Sequence, residues 1–124
     1  MDIIISNSSD APIYEQIVSQ IKAQIMSGAL AEGDALPSMR ALAQSLRISI
    51  ITTKRAYEEL EREGFIESYT GKGSFVKHQN KELVREEYMK QAEQLLTQAC
   101  EKAHMGGISA QELHELLDII YGGE

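Results

Sequence analysis

Residues 49–60 read SIITTKRAYEEL, and their spacing predicts a helix. Ser49 is a capping residue, and Thr53, Ala56, Tyr57 and Leu60 repeat at i, i+3, i+4 and i+7 on one face. The opposite face carries Ile50, Ile51, Lys54 and Arg55. Two isoleucines beside two cations make an odd surface to show only to water, so this face is expected to touch something.

Immediately upstream, MRALAQSL (39–46) reads as a shorter helix capped by Ser38, with Leu42, Ala43 and Leu46 facing inward. Arg47 and Ile48 leave room only for a tight connection. Before it lies AEGDAL, whose Gly33 and Asp34 are turn residues. Further back, Ile13, Ile17, Val18, Ile21 and Ile25 form the apolar stripe of a first helix, with Asp10 expected to cap it, Pro12 in its first turn and Gly28 at its end. Downstream of Gly64 the period changes from helical to extended. FIESY, then TGKG, then SFVK signals a hairpin with a four-residue turn.

Two short helices joined by a tight turn and followed by a hairpin make the plan of a winged helix-turn-helix, whose second helix enters the major groove of DNA. The face carrying Ile50, Ile51, Lys54 and Arg55 would then be the one turned to DNA. Beyond the hairpin a long helical pattern runs through Leu83, Val84, Tyr88, Ala92, Leu95, Leu96, Ala99 and Ala103 and stops at Met105, Gly106 and Gly107. Ser109 and Glu112 form a capping box for a last helix with Leu113, Leu116, Leu117 and Ile120 on its apolar side. The expected fold is mainly α with a small β-hairpin wing. A winged helix-turn-helix over 1–78 precedes a two-helix C-terminal dimerisation extension over 79–124.

Composition supports a folded chain. Over 124 residues it is 43% hydrophobic and 25% charged, which excludes bulk disorder and suits one compact domain or one with a small appendage. The net charge of −7 speaks against a polyanionic partner until its distribution is read. Residues 1–35 hold one lysine against five acids, and 79–124 hold four cations against nine acids. Residues 36–78 reverse the balance, with seven cations against five glutamates. Positive charge is thus concentrated where the helix-turn-helix lies. The single cysteine, Cys100, has no partner in the chain, which fits a reducing cytoplasm, and its place on the long helix reads as a buried thiol. The start MDIIISNSSD has no cationic region and only a three-residue apolar run, so no signal peptide and no membrane association are expected.

The stretch LPSMRALAQSLRISIITTKRAYEELEREGFIESYTGKGSFV closely resembles the DNA-binding domain of GntR-family bacterial transcription regulators. The matching positions are Leu36, Pro37, Ser38 and Arg40; Leu42 and Ala43; Ser49 and Thr52; Ala56, Tyr57 and Leu60; Gly64 and Ile66; and Gly71, Gly73, Ser74, Phe75 and Val76. With the helix entry from Pro12 to Ile17, the likeness covers about residues 10–77. The remainder resembles the small YtrA-like branch, in which two helices follow the wing. The resemblance therefore implies no room for the metabolite-binding domain of larger members. It also implies that Arg40 lies near the phosphate backbone. At one position the pattern departs. Many members place Arg directly after the capping serine to read guanine, whereas this chain has Ile50, which puts that readout in question. Ile50 and Ile51 would instead pack on thymine methyls.

The expected DNA contacts are Ser38, Arg40, Ser49, Ile50, Ile51, Thr52, Lys54, Arg55, Thr70, Gly71, Lys72 and Gly73. All but the two isoleucines have a blander competitor. The serines and Thr52 can serve as local caps, Arg40 can pair with a carboxylate, and Lys54 can simply be solvated. Arg55 can turn back to Glu58 or Glu59, and TGKG can be an ordinary hairpin turn. The dimer interface is expected at Val84, Tyr88, Ala92, Leu95, Ala99, Ala103, Leu113, Leu117 and Ile120. His78, His104 and His114 lack metal-ligand spacing, and no catalytic grouping emerges, so neither an enzyme nor a cofactor is implied. The expected partners are double-stranded DNA and a second copy of the chain, with a small-molecule effector of unspecified chemistry left open. A sequence-specific transcriptional regulator, a repressor by preference, competes with a winged-helix protein-interaction module without DNA activity. The wing glycines and the cations Arg40 and Lys54 favour the regulator.

Overall fold

The computed structural model describes residues 1–123; Glu124, the last residue of the expected extension, lies outside the described residues. The elements are α1 (Ile13–Met26), α2 (Met39–Leu46), α3 (Ile50–Arg62), β1 (Ile66–Tyr69), β2 (Gly73–Val76), α4 (Lys81–Gly106) and α5 (Ala110–Tyr121). They fall into two compact units, Met1–Asn80 and a second that begins at Lys81.

In the first unit, α1 buries Ile17, Val18, Ile21 and Ile25 as its period requires. Its entry differs from expectation. Asp10 does not cap it; Pro12 occupies the N-cap position and no side chain closes that end. The chain ahead of α1 is instead held by three glutamines spaced one turn apart. Gln16 accepts from the Ser6 N–H (2.8 Å) and donates to the Ser6 and Ala11 carbonyls (both 3.0 Å). Gln20 accepts from the Ile4 N–H (2.8 Å) and donates to its carbonyl (2.7 Å), and Gln24 donates to the Asp2 carbonyl (2.8 Å). These bonds satisfy backbone groups that no sheet pairs, and they let Ile3 and Ile5 pack on the core.

The two helices of the central motif start where their serines place them. Ser38 Oγ accepts from the Ala41 N–H (3.0 Å), and Ser49 Oγ accepts from the Thr52 N–H (3.1 Å). Between them Arg47 turns the chain in the left-handed region (φ 57°), and the Ile48 N–H closes the end of α2 on the Ala43 carbonyl (3.0 Å). At the far end of α3, Gly64 (φ +84°) reverses the chain into β1. Thr53, Ala56, Tyr57 and Leu60 are buried against α1 and α2. Tyr57 is 1% exposed, and its hydroxyl donates to the Pro37 carbonyl (2.7 Å). Burial pushes its phenol up to about 12. Side chains such as Ile17, Ile21 and Leu60 each contribute about 1.5–3 kcal/mol by leaving water, which makes this three-helix contact the main support of the unit.

The hairpin pairs Ile66 with Val76 and Tyr69 with Gly73. Because Gly73 (φ +100°) already belongs to β2, the turn is three residues long, 70–72, rather than the expected four. A second departure lies on the other edge of β2. The segment that reads as a loop around Gly33 runs alongside it: the Gly33 N–H donates to the Val76 carbonyl, the Val76 N–H to the Asp34 carbonyl and the Leu36 N–H to the Ser74 carbonyl, each at 2.9 Å. The wing thus grows from a two-stranded sheet with a single bridge, Ala35 to Phe75, along the other edge of β2.

The second unit is a helical hairpin. Ser109 Oγ accepts from the Glu112 N–H (3.2 Å), and Glu112 Oε2 accepts from the Ser109 N–H (3.0 Å), which completes the capping box of α5. The Ile108 N–H bonds the Ala103 carbonyl (2.8 Å) at the joint. Ala103 is the one buried residue of this unit among those described.

Candidate nucleic-acid interface

The exposed face of α3 is built at its capped end. Ser49 and Thr52 share a hydroxyl–hydroxyl hydrogen bond (2.8 Å), so the half-buried Thr52 is tied to the cap. Past that cap Ile50 and Ile51 stand in water, Ile51 being 80% exposed. Lys54 Nζ lies 3.8 Å from Glu58 Oε1, with both side chains more than 60% exposed, a pair too loose and wet to hold the lysine.

Arg55 does not turn back to Glu58 or Glu59. Glu58 faces Lys54, and Glu59 is bound by Arg62, whose hydrogen bonds hold its carboxyl below the usual range. The Arg55 guanidinium lies instead over the ring of Tyr14, its Cζ 3.8 Å from the ring centroid. In the sequence Tyr14 belongs to the Pro-Ile-Tyr-x-Gln-Ile helix entry that carries the family resemblance, but nothing there marks it as the partner of Arg55. It sits in the first turn of α1, and no pattern within one chain marks a ring on one helix as the seat of a cation on another.

Arg40 is exposed in the first turn of α2, and Ser38 is occupied as that helix's cap. Thr70, Gly71, Lys72 and Gly73 are all exposed at the wing tip. At its root Tyr69 packs obliquely on Phe75 (6.1 Å between centroids), and its phenol is raised, first by a hydrogen bond to Glu67. Ser49, Thr52, Lys54 and Arg55 are thus brought together on α3, with Arg40 on the helix packed beside it. Among the described residues no hydrogen bond joins the wing tip to α3.

In the second unit Tyr88, Ala92, Leu95, Ala99, Leu117 and Ile120 are exposed, Val84 and Leu113 are half-buried, and Ala103 is buried. Cys100 is exposed, which corrects its reading as a buried thiol: within the second unit its side of the long helix opens onto a groove instead of a packed core. It lines a groove of about 370 Å³ with Leu96, Ala99, Leu113, Leu117 and Ile120. Among the described residues no group of histidine, cysteine and carboxylates could hold a metal ion, and no helix is long and apolar enough to cross a membrane.

Residues 13–76 match the family described as bacterial regulatory proteins, gntR family. The chain is 39% identical over 107 residues to the HTH-type transcriptional repressor YtrA of Bacillus subtilis (strain 168), a match spanning 86% of this chain and 82% of that one. Among solved structures it is similar to a transcriptional regulator from Oenococcus oeni, with TM-score 0.79 at 26% identity over 94% of this chain and 97% of that chain. It is also similar to AraR(DBD) in complex with operator ORE1, with TM-score 0.52 at 25% identity over 61% of this chain and 93% of that chain.

Proposed function

This chain belongs to the GntR family of bacterial regulatory proteins, and on that premise we propose that it is a transcriptional repressor that binds a palindromic operator as a homodimer. The family and the relatives are transcription regulators, not enzymes. The observation that carries the reading is the solvent-facing set Ile50, Ile51, Lys54 and Arg55 at the capped start of α3. In a helix-turn-helix the N-terminal residues of the second helix reach the base edges. Ile50 and Ile51 suit thymine methyls, and Arg40, Lys54 and Arg55 suit phosphates. Gly71 and Gly73, both at positive φ, let the wing backbone come close to a minor groove, with Thr70 and Lys72 beside them. The operator-bound state of AraR(DBD) supports DNA as the partner of this fold.

The homodimer is supported by the second unit. Leu95 is 66% and Ile120 67% exposed, beside Tyr88, Ala92, Ala99 and Leu117. An apolar face of this extent is buried most simply against a two-fold copy, with Val84, Ala103 and Leu113 completing the contact. Two-fold symmetry in turn calls for equivalent half-sites about one helical turn apart. Such a protein acts in the cytoplasm, on the chromosome. Selection by the full chain from a random duplex pool tests the reading. It should enrich a palindrome with thymine in each half-site; a pool left unenriched at 50 mM salt would return the fold to a protein-binding role.

A further inference from the structure

The contact between α1 and α3 holds a pair that extends the DNA-binding reading and rests on it: we infer that Tyr14 is a positioning residue, which holds the Arg55 guanidinium ready for a backbone phosphate of duplex DNA. The Arg55 Cζ lies 3.8 Å from the Tyr14 centroid, within cation–π range. Of the nearby acids Glu59 is bound by Arg62, and neither Glu58 nor Glu15 pairs with the cation among the described residues. Among the described residues Arg55 makes no hydrogen bond and no ion pair.

That distinction matters for a phosphate. A carboxylate would consume the guanidinium's donors and cancel its charge. A ring occupies only its flat face and leaves the N–H fork free in the plane. Stacking also removes rotamer freedom before DNA arrives, so less is lost on binding. The direction in which Arg55 leans decides what it can reach. It stands one turn beyond Ile51 on the same stripe of α3, and it bends sideways onto α1 rather than along the helix toward the base-reading end. A cation carried to the flank of a recognition helix meets the rim of the groove, where phosphates lie, and contributes alike to all sequences.

Two duplexes serve as probes: one selected from a random pool by the wild-type chain, and one scrambled from it. Arg55→Ala should weaken binding to both alike, by roughly fivefold near 0.15 M salt for each phosphate it no longer engages, with a salt slope shallower by about 0.9 per phosphate. Tyr14→Leu should weaken binding severalfold, and Tyr14→Phe should leave it unchanged, because the stack needs the ring and not the hydroxyl. The deciding variant is Tyr14→Leu combined with Arg55→Ala, which should bind no more weakly than Arg55→Ala alone. Further weakening in the double variant means that Tyr14 acts on its own and overturns the inference; so does a weakening in Tyr14→Phe as large as in Tyr14→Leu. Arg55 is exposed, so its removal leaves the core untouched and the comparison readable even where Tyr14→Leu lowers stability.

A second readout needs no DNA. The Arg55 Nε–H resonance should shift when Tyr14→Leu removes the ring current and hold its place in Tyr14→Phe. A resonance indifferent to Tyr14→Leu shows that there is no stack in solution and ends the proposal. Should the wild-type chain enrich no duplex from the pool, the functional reading itself falls, and the role of Tyr14 with it, whatever the resonance does.

Discussion

Ile50 and Arg40 stand on neighbouring helices and should act on DNA in different ways. An isoleucine on a groove floor discriminates by contact with thymine methyls, whereas an arginine on a phosphate does not discriminate. Ile50→Ala should therefore change the selected base at one or two positions of a half-site, by about 1 kcal/mol. Arg40→Ala should lower affinity for all duplexes alike. Site selection with each variant checks this; an unchanged preference in Ile50→Ala removes isoleucine from the readout. Tyr57 tests the core. Tyr57→Phe strips the Pro37 carbonyl of its donor and should cost about 1 kcal/mol. In thermal melting that is a fall of about 4–8 °C. The pH dependence has a definite sign. The phenol is raised from 10.0 to about 12, so the folded state disfavours its ionisation. Its contribution is present in full below pH 10 and is lost between pH 10 and about 12, a loss Tyr57→Phe should not share. Single-residue features were legible where their chemistry is local, as at the caps Ser38, Ser49 and Ser109. They were not legible where the partner comes from another element: Arg55 found Tyr14, and Asp10 lost its role once glutamines on α1 held the chain ahead of Pro12.

The helices α4 and α5 carry the prediction that belongs to elements. Their exposed leucines and isoleucines can be tested without disturbing the protomer, because Leu95 touches little within it. Leu95→Glu should leave helix content unchanged while placing a carboxylate in the proposed interface, at a cost of several kcal/mol. Sedimentation velocity should show a dimer for the wild-type chain and a monomer for the variant. Identical sedimentation of the two would move the interface elsewhere. At this scale α2, α3 and α5 could be read almost to the residue, since a serine cap opens each and an apolar period fills it. The wing was harder. Gly73 looks like part of a turn, yet it pairs with Tyr69, and Gly33 and Asp34 have turn chemistry although their backbone completes the base of the wing. Such pairing depends on what folds alongside and leaves no period in the sequence. The strap over residues 2–6 is invisible for a related reason, being held by Gln16, Gln20 and Gln24 through side-chain amides that form no apolar pattern.

Taken whole, the molecule is an acidic chain with seven of its twelve cations in residues 36–78. With a net charge of −7 it should be repelled by DNA at long range, so that binding depends on close contacts by Arg40, Lys54, Arg55 and Lys72. The flanking acids would then suppress non-specific association and leave the operator favoured. The order of helices, the wing and the family were all legible, because the motif from Leu36 to Val76 is long, local and dense in capping, turn and core positions. For assembly the sequence offers only a surplus of apolar residues, which supports a proposal and no more, since one chain's sequence does not name what covers them. The most direct test of the account is a titration of the selected duplex with the full chain, followed by anisotropy from 50 to 200 mM salt. Two chains should bind each duplex, and with roughly six to ten phosphates engaged the affinity should fall by about 10³ or more. An affinity that stays flat across that range would contradict the account.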